Sequence, residues 1–96
     1  MLKDNFVAVI QAISKAADIP CEDILSESKR LEVVDARSIA MQILFDAGYC
    51  PGRIARLFHK TEASVRYTLA NFEDRKLSNK IVEKILKETR KILENK

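Results

Sequence analysis

The stretch RLFHKTEASVRYTLANF, residues 56–72, joins two apolar helical segments through a short polar break. His59 and Lys60 interrupt the first segment, and Thr61 follows at a position where its hydroxyl can cap a new helix. Glu62 then complements the positive end of the new helix dipole. Two helices joined by about three residues, the first short and the second capped, form the outline of a helix-turn-helix.

The second helix of this pair is predicted over residues 61–72 and has two different faces. With about 100° of rotation per residue, Val65, Leu69 and Phe72 fall in one narrow sector and are predicted to face the core. The opposite arc combines small residues with cationic and hydrogen-bonding groups: Ala63, Ser64, Arg66, Tyr67, Ala70 and Asn71. A recognition helix in the major groove of DNA needs such a face. An exposed helix of an ordinary bundle has the same polarity, so the pattern by itself leaves both interpretations open.

Apolar periodicity along the rest of the chain predicts an all-α fold of six helices in a single domain, residues 1–96. The predicted helices cover 4–17, 20–25, 31–48, a short segment from Pro51 to Phe58, 61–72 and 78–95. Segment 31–48 carries two apolar stripes, so it is predicted to be the central helix, with Gly48 at its C-terminal cap. Ser78 is predicted to cap the last helix.

Charge is distributed unevenly along the chain. The net charge is +3, but residues 75–96 carry eight Lys or Arg against three Glu, whereas residues 1–74 carry nine against eleven acids. Cationic side chains also cluster in 53–66 and at a basic pair before the central helix. The side chains predicted to contact phosphate are Lys29, Arg30, Arg37, Arg53, Arg56, Lys60 and Arg66. A solvated charged face explains any one cluster equally well.

Several function classes find no support in the residue patterns. Cys21 and Cys50 form no CxxC pair, and the chain has one His, which argues against a zinc site, so we expect no metal and no cofactor. The chain contains no GxxxxGK[ST] motif, so no nucleotide partner is expected. His59 lacks the neighbours of a nucleophile system, so no catalytic residue is predicted and the protein is expected to be non-enzymatic.

The two ends of the chain carry further expectations. The N-terminal segment contains Lys3, Asp4 and Lys15 among its apolar residues, which excludes a signal peptide, and no run is long enough to span a membrane. A cytoplasmic location is expected. The last helix is predicted to pack on the core; a dimer seam along it would have about two heptads, interrupted by Thr89, so a monomer is favoured.

Residues 36–69, ARSIAMQILFDAGYCPGRIARLFHKTEASVRYTL, resemble the C-terminal DNA-binding domain of the bacterial replication initiator DnaA. The similarity lies in an Ala-Arg-x-Ile-Ala-Met run, here Ala36, Arg37, Ile39, Ala40 and Met41, and in a looser match over 54–58. The resemblance implies a Trp-repressor-like helix-turn-helix fold that binds double-stranded DNA and is related to DNA replication initiation. It also implies a basic minor-groove loop at Ser28, Lys29 and Arg30, with Arg37 near the DNA backbone.

The signature at the start of the family's recognition helix is changed in this chain. Lys60 stands for an arginine, Thr61 for an aspartate and Glu62 for a histidine, whereas Ser64 agrees with the family. Glu62 can accept a hydrogen bond from a cytosine amino group, or it can simply complement the helix dipole. The predicted DNA-binding residues are Lys29, Arg30, Arg37, Arg53, Lys60, Thr61, Glu62, Ala63, Ser64, Arg66 and Tyr67. The alternative is a helical protein-interaction module that has lost sequence-specific DNA binding and holds a protein partner.

Overall fold

The computed structural model describes residues 5–95, and it confirms the prediction of an all-α fold. Within that range there are seven helices: α1 (Phe6–Ala17), α2 (Cys21–Ile24), α3 (Leu31–Asp46), α4 (Pro51–Phe58), α5 (Glu62–Ala70), α6 (Phe72–Ser78) and α7 (Lys80–Glu94). The predicted number of six is therefore wrong. The predicted start of the first helix at residue 4 lies outside the described residues, as do the two ends of the predicted domain. None of the helices between residues 5 and 95 has the length and hydropathy needed to cross a bilayer.

Helix α3 is the centre of the fold, as its two apolar stripes predict. It packs against all six of the other helices, and Ile39, Ile43 and Leu44 are fully buried. The helix ends at Asp46, two residues before the predicted end, and Gly48 follows the cap with a φ of 106°. The N–H of Tyr49 then reaches back to the carbonyl of Leu44 at 3.0 Å, which closes the last turn.

Helix α1 covers one side of α3 and also lies along α7. Val9, Ile10 and Ile13 are buried in this arrangement, as the helical spacing of the N-terminal segment predicts. The ring of Phe6 meets the ring of Phe58 edge-to-face, with 5.4 Å between the ring centroids. This contact ties α1 to α4, and so connects the helix pair of the opening stretch to the rest of the core.

The extra helix, α6, begins at a bend that no glycine or proline marks in the sequence. Asn71 adopts φ −100° and ψ 5°, and its side-chain amide donates to the carbonyl of Tyr67 at 2.8 Å. Phe72 is 2% exposed and anchors the new helix in the core. Glu73 and Asp74 occupy its first turn, where acidic side chains favour the helix dipole. The helical backbone therefore continues past residue 72 because of long-range packing, and no local helix-stop residue marks the bend.

A buried carboxylate joins α3, α6 and the start of α7. Asp35 is 5% exposed and accepts hydrogen bonds from Arg75 Nη1 at 2.7 Å and from Asn79 Nδ2 at 3.3 Å. The Asn79 side chain also caps α7, because its Oδ1 accepts from the N–H of Ile81 at 3.0 Å. The prediction that Ser78 caps the last helix is wrong, since Ser78 is the final residue of α6. Asn79 is the cap instead, because its amide can bond both the Asp35 carboxylate and the N–H of Ile81.

Candidate nucleic-acid interface

The turn between α4 and α5 is held by backbone hydrogen bonds. His59 adopts the left-handed conformation with φ 56°, which ends α4. The N–H of Lys60 then donates to the carbonyl of Ala55 at 2.9 Å, and this bond closes the last turn of α4 in the manner of a left-handed cap. Three residues, 59–61, connect the two helices. The direction in which α5 leaves the core is therefore fixed by the turn.

The start of α5 is capped as the sequence predicts. Thr61 Oγ1 accepts a hydrogen bond from the N–H of Ser64 at 3.1 Å. Glu62, Ala63 and Ser64 are all exposed to solvent at this end. The small side chains of Ala63 and Ser64 leave the backbone of the first turn open to close approach by a partner.

The two predicted faces of α5 are confirmed at their most informative positions. Val65 is fully buried, and Leu69 packs against the core from a partly buried position. On the opposite face the Arg66 side chain is 63% exposed, and Tyr67 is 72% exposed. Helix α5 is therefore held from behind by apolar contacts, while its cationic and small residues face solvent.

Arg66 is paired with an acid on its own helix. Its Nε donates to Glu62 Oε2 at 2.9 Å, and its Nη2 donates to the same oxygen at 2.6 Å. The other carboxylate oxygen lies against α4, where a Cβ added to Gly52 would stand 3.1 Å from it. Both groups are at least half exposed, so water screens the pair and it contributes little to stability. Its consequence is electrostatic, because the carboxylate reduces the positive potential at the exposed face.

A cleft of about 200 Å³ separates the start of α5 from the polar loop that precedes α3. Lys29 and Lys60 both line it, one from the loop and one from the α4–α5 turn. The hydroxyl groups of Ser64 and Thr68 line the same cleft from α5. The structure therefore brings the predicted basic loop next to the predicted recognition helix. Thr68 is absent from the predicted site, although its position four residues after Ser64 places both on one helix face.

Arg37 also lines this cleft, but its side chain is largely buried, unlike those of the other predicted cations. It is 8% exposed, its Nε donates to the carbonyl of Ile24 at 3.0 Å, and its Nη2 donates to the carbonyl of Ser28 at 2.6 Å. Burial lowers the pKa of the Arg37 guanidinium, and the nearby charge of Glu27 opposes that shift. With two nitrogens engaged by backbone carbonyls, Arg37 has little surface left for phosphate. It holds the loop that carries Lys29.

The remaining predicted site residues lie on neighbouring parts of the surface. Arg30 is 62% exposed and lies between the carboxylates of Asp23 and Glu32, at 3.5 and 3.6 Å. Arg53 lies over the ring of Tyr49, with its guanidinium carbon 4.5 Å from the ring centroid, and lines a separate cleft beside α1. Tyr67 lines a shallow depression with residues of α3 and α6. Arg56 is exposed on α4.

Within residues 5–95 no three His, Cys, Asp or Glu side chains come close enough to hold a metal ion. No protein-family model matches the chain, and a search of curated proteins found no match either.

Proposed function

We propose that this protein is a non-enzymatic, cytoplasmic double-stranded DNA-binding protein related to the replication initiator. In this proposal α4 and α5 are a helix-turn-helix of Trp-repressor-like type, and α5 is its recognition helix. The first turn of α5 enters the major groove, where Ala63 and Ser64 allow close approach and Arg66 reaches a base edge or a phosphate. The observation that carries the proposal is the orientation of α5, with Val65 fully buried and Arg66 exposed on the opposite side.

The cleft beside α5 supports a second contact with the same duplex. Lys29 from the loop and Lys60 from the α4–α5 turn line it, together with the hydroxyl groups of Ser64 and Thr68, and Glu27 is the one acid in the lining. Lysine ammonium groups and hydroxyl groups are common phosphate donors, and contacts of this kind set the position of a protein on DNA without reading sequence. We therefore assign the loop and the turn to the DNA backbone, and the first turn of α5 to the groove.

A protein-interaction module remains the second candidate, and one contact favours it. The ion pair between Glu62 and Arg66, at 2.6 Å, neutralises the single cation of α5. A helix that enters the major groove must either break that pair or bring the negative charge of Glu62 close to the DNA phosphates. A protein partner could leave the pair intact, because its surface can present a cation to Glu62 and an acid to Arg66.

The first prediction concerns salt. Binding of the chain to a random duplex should weaken steeply with salt, with a slope of about −4 to −5 in a plot of log affinity against log salt concentration, because about five phosphates are neutralised. Fluorescence anisotropy with a labelled duplex of about 20 base pairs, titrated between about 50 and 200 mM salt, measures the slope. A chain that ignores duplex at the lowest salt concentration would rule out the DNA proposal and leave the protein-interaction module.

The second prediction concerns Glu62. The substitution Glu62→Gln should raise duplex affinity about fivefold, because it frees Arg66 and removes an acid close to the phosphates; this corresponds to about 1 kcal/mol of charge interaction. Glu73→Gln on α6 is the matched control, since Glu73 is also exposed and also pairs with a cation within its own helix, Lys76. The same anisotropy titration should show a smaller gain for the control. A loss of affinity with Glu62→Gln would instead mean that the carboxylate accepts a hydrogen bond from a base.

A further inference from the structure

Helix α7 is apolar on two sides, whereas a helix at the edge of a fold needs one. Val82, Thr89 and Leu93 are buried and face the core. A second row, here called the outer row, is formed by Ile81, Ile85 and Ile92 and runs beside the buried one. Ile81 is 63% exposed, whereas Ile85 and Ile92 are half-buried and also pack against the edge of the core. Thr89 belongs to the buried side, so it does not interrupt the outer row.

The outer row of α7 forms one wall of a groove, and the C-terminal end of α1 forms the other. The groove has a volume of about 750 Å³, and its α1 wall contains the small residues Ala16 and Ala17. Alanine side chains allow another helix to approach closely, at the short end of the usual interaxial distance of about 8–10 Å. From Ile81 to Ile92 the row is about 16 Å long, which is enough for a short helix–helix contact.

We propose that α7 of a second copy of this chain occupies the groove, antiparallel to the first and related to it by a two-fold axis. The charges in the groove support this occupant. Lys84 and Glu88 lie within the outer row, and Ile81 and Ile92 lie near its ends. A two-fold axis that crosses α7 at the height of Leu86 places Lys84 opposite Glu88 of the partner subunit. The same axis brings Ile81 next to Ile92 of the partner subunit. Both pairs are centred on the same turn of α7, so one arrangement satisfies both.

Self-complementarity distinguishes a second copy from other occupants. A two-fold interface must match itself, and a row with one cation and one acid, placed symmetrically about its centre, meets that requirement. An acidic helix of another protein would be attracted by Lys15 and Lys84 but repelled by Glu88. The interface is small, so the dimer is weak and becomes populated at chain concentrations of about 100 µM. This inference does not depend on DNA binding.

Two opposite charge changes test the arrangement on the full chain. Lys84→Glu by itself places two acids opposite each other, and Glu88→Lys by itself places two lysines opposite each other. Each single variant should therefore associate at least about tenfold more weakly than the wild type. An equimolar mixture of the two variants pairs opposite charges again at both contacts, so it should form a heterodimer. Sedimentation equilibrium between about 10 and 500 µM measures all four samples.

Each outcome decides the proposal. Both substituted side chains are exposed, and circular dichroism melts confirm that the variants are folded. A wild-type chain that stays monomeric at about 500 µM overturns the proposal, and so do single variants that associate like the wild type. A mixture that stays monomeric while the wild type dimerises overturns the antiparallel two-fold arrangement. Loss of the dimer with Ile81→Asp, together with recovery in the mixture, supports it.

Discussion

A chain carrying both Lys60→Glu and Arg66→Glu is expected to bind random duplex about 100-fold more weakly than the wild type at about 50 mM salt. Lys60 lines the cleft at the turn, and Arg66 projects from the exposed face of α5, so the two cations flank the proposed contact surface. A charge-assisted hydrogen bond contributes about 1.5–3 kcal/mol, and two such bonds account for the loss. Anisotropy should also show a shallower salt slope, by about one unit for each lost phosphate contact.

A control with the same change in net charge separates contact from general attraction. Lys87→Glu combined with Lys91→Glu also removes two cations and adds two acids, on the exposed surface of α7. We expect this pair to lower duplex affinity by much less, because α7 takes no part in the proposed docking. If the α7 pair lost as much affinity as the α5 pair, binding would follow net charge and the assignment of α5 as the recognition helix would be wrong. If neither pair changed affinity, the proposed contact surface around Lys60 and Arg66 would be wrong.

The face of α5 was predictable because its determinants are local. A capping threonine, an acid in the first turn and an apolar residue every three or four positions are all read within about ten residues of sequence. The Thr61 cap and the burial of Val65 followed directly from that pattern. The pair between Glu62 and Arg66 has the ordinary spacing of a helical ion pair, so it too was open to prediction. Glu62 therefore acts on Arg66 in addition to the two predicted roles, a contact with a base and a partner for the helix dipole.

The bend at Asn71 and the position of Arg37 were not predictable in the same way. No glycine or proline separates α5 from α6, and the bend depends on the burial of Phe72 and on the contact of Arg75 with Asp35, forty residues away in sequence. Arg37 resembles a phosphate ligand when judged by residue type. Its partners are main-chain carbonyls, which carry no signature in a sequence, so its inward orientation appears only when α2 and α3 are packed together.

The inward orientation of Arg37 gives the loop before α3 its shape. The loop has no regular secondary structure. Ser26 bonds back to the carbonyl of Asp23, and the hydroxyl groups of Ser26 and Ser28 accept from the N–H groups of Ser28 and Arg30. The guanidinium bridges the end of α2 and the carbonyl of Ser28, and it does so from a rigid position within α3. Lys29 follows directly in the chain, so the same bridge holds the backbone from which its side chain reaches the cleft.

Replacing Arg37 with Met is therefore expected to lower the free energy of unfolding by about 3 kcal/mol, because a chain of similar length fills the space while two carbonyls lose their charged donor. Urea denaturation measures the change. Arg30→Met is the matched control: it removes the same group from an exposed position with ion pairs of 3.5 and 3.6 Å, and should cost less than about 0.5 kcal/mol. In conditions where both variants are folded, Arg37→Met should also weaken duplex binding, because Lys29 is no longer held beside the cleft. Unchanged stability together with weakened binding would mean that Arg37 contacts DNA directly, as the resemblance to the initiator domain implies.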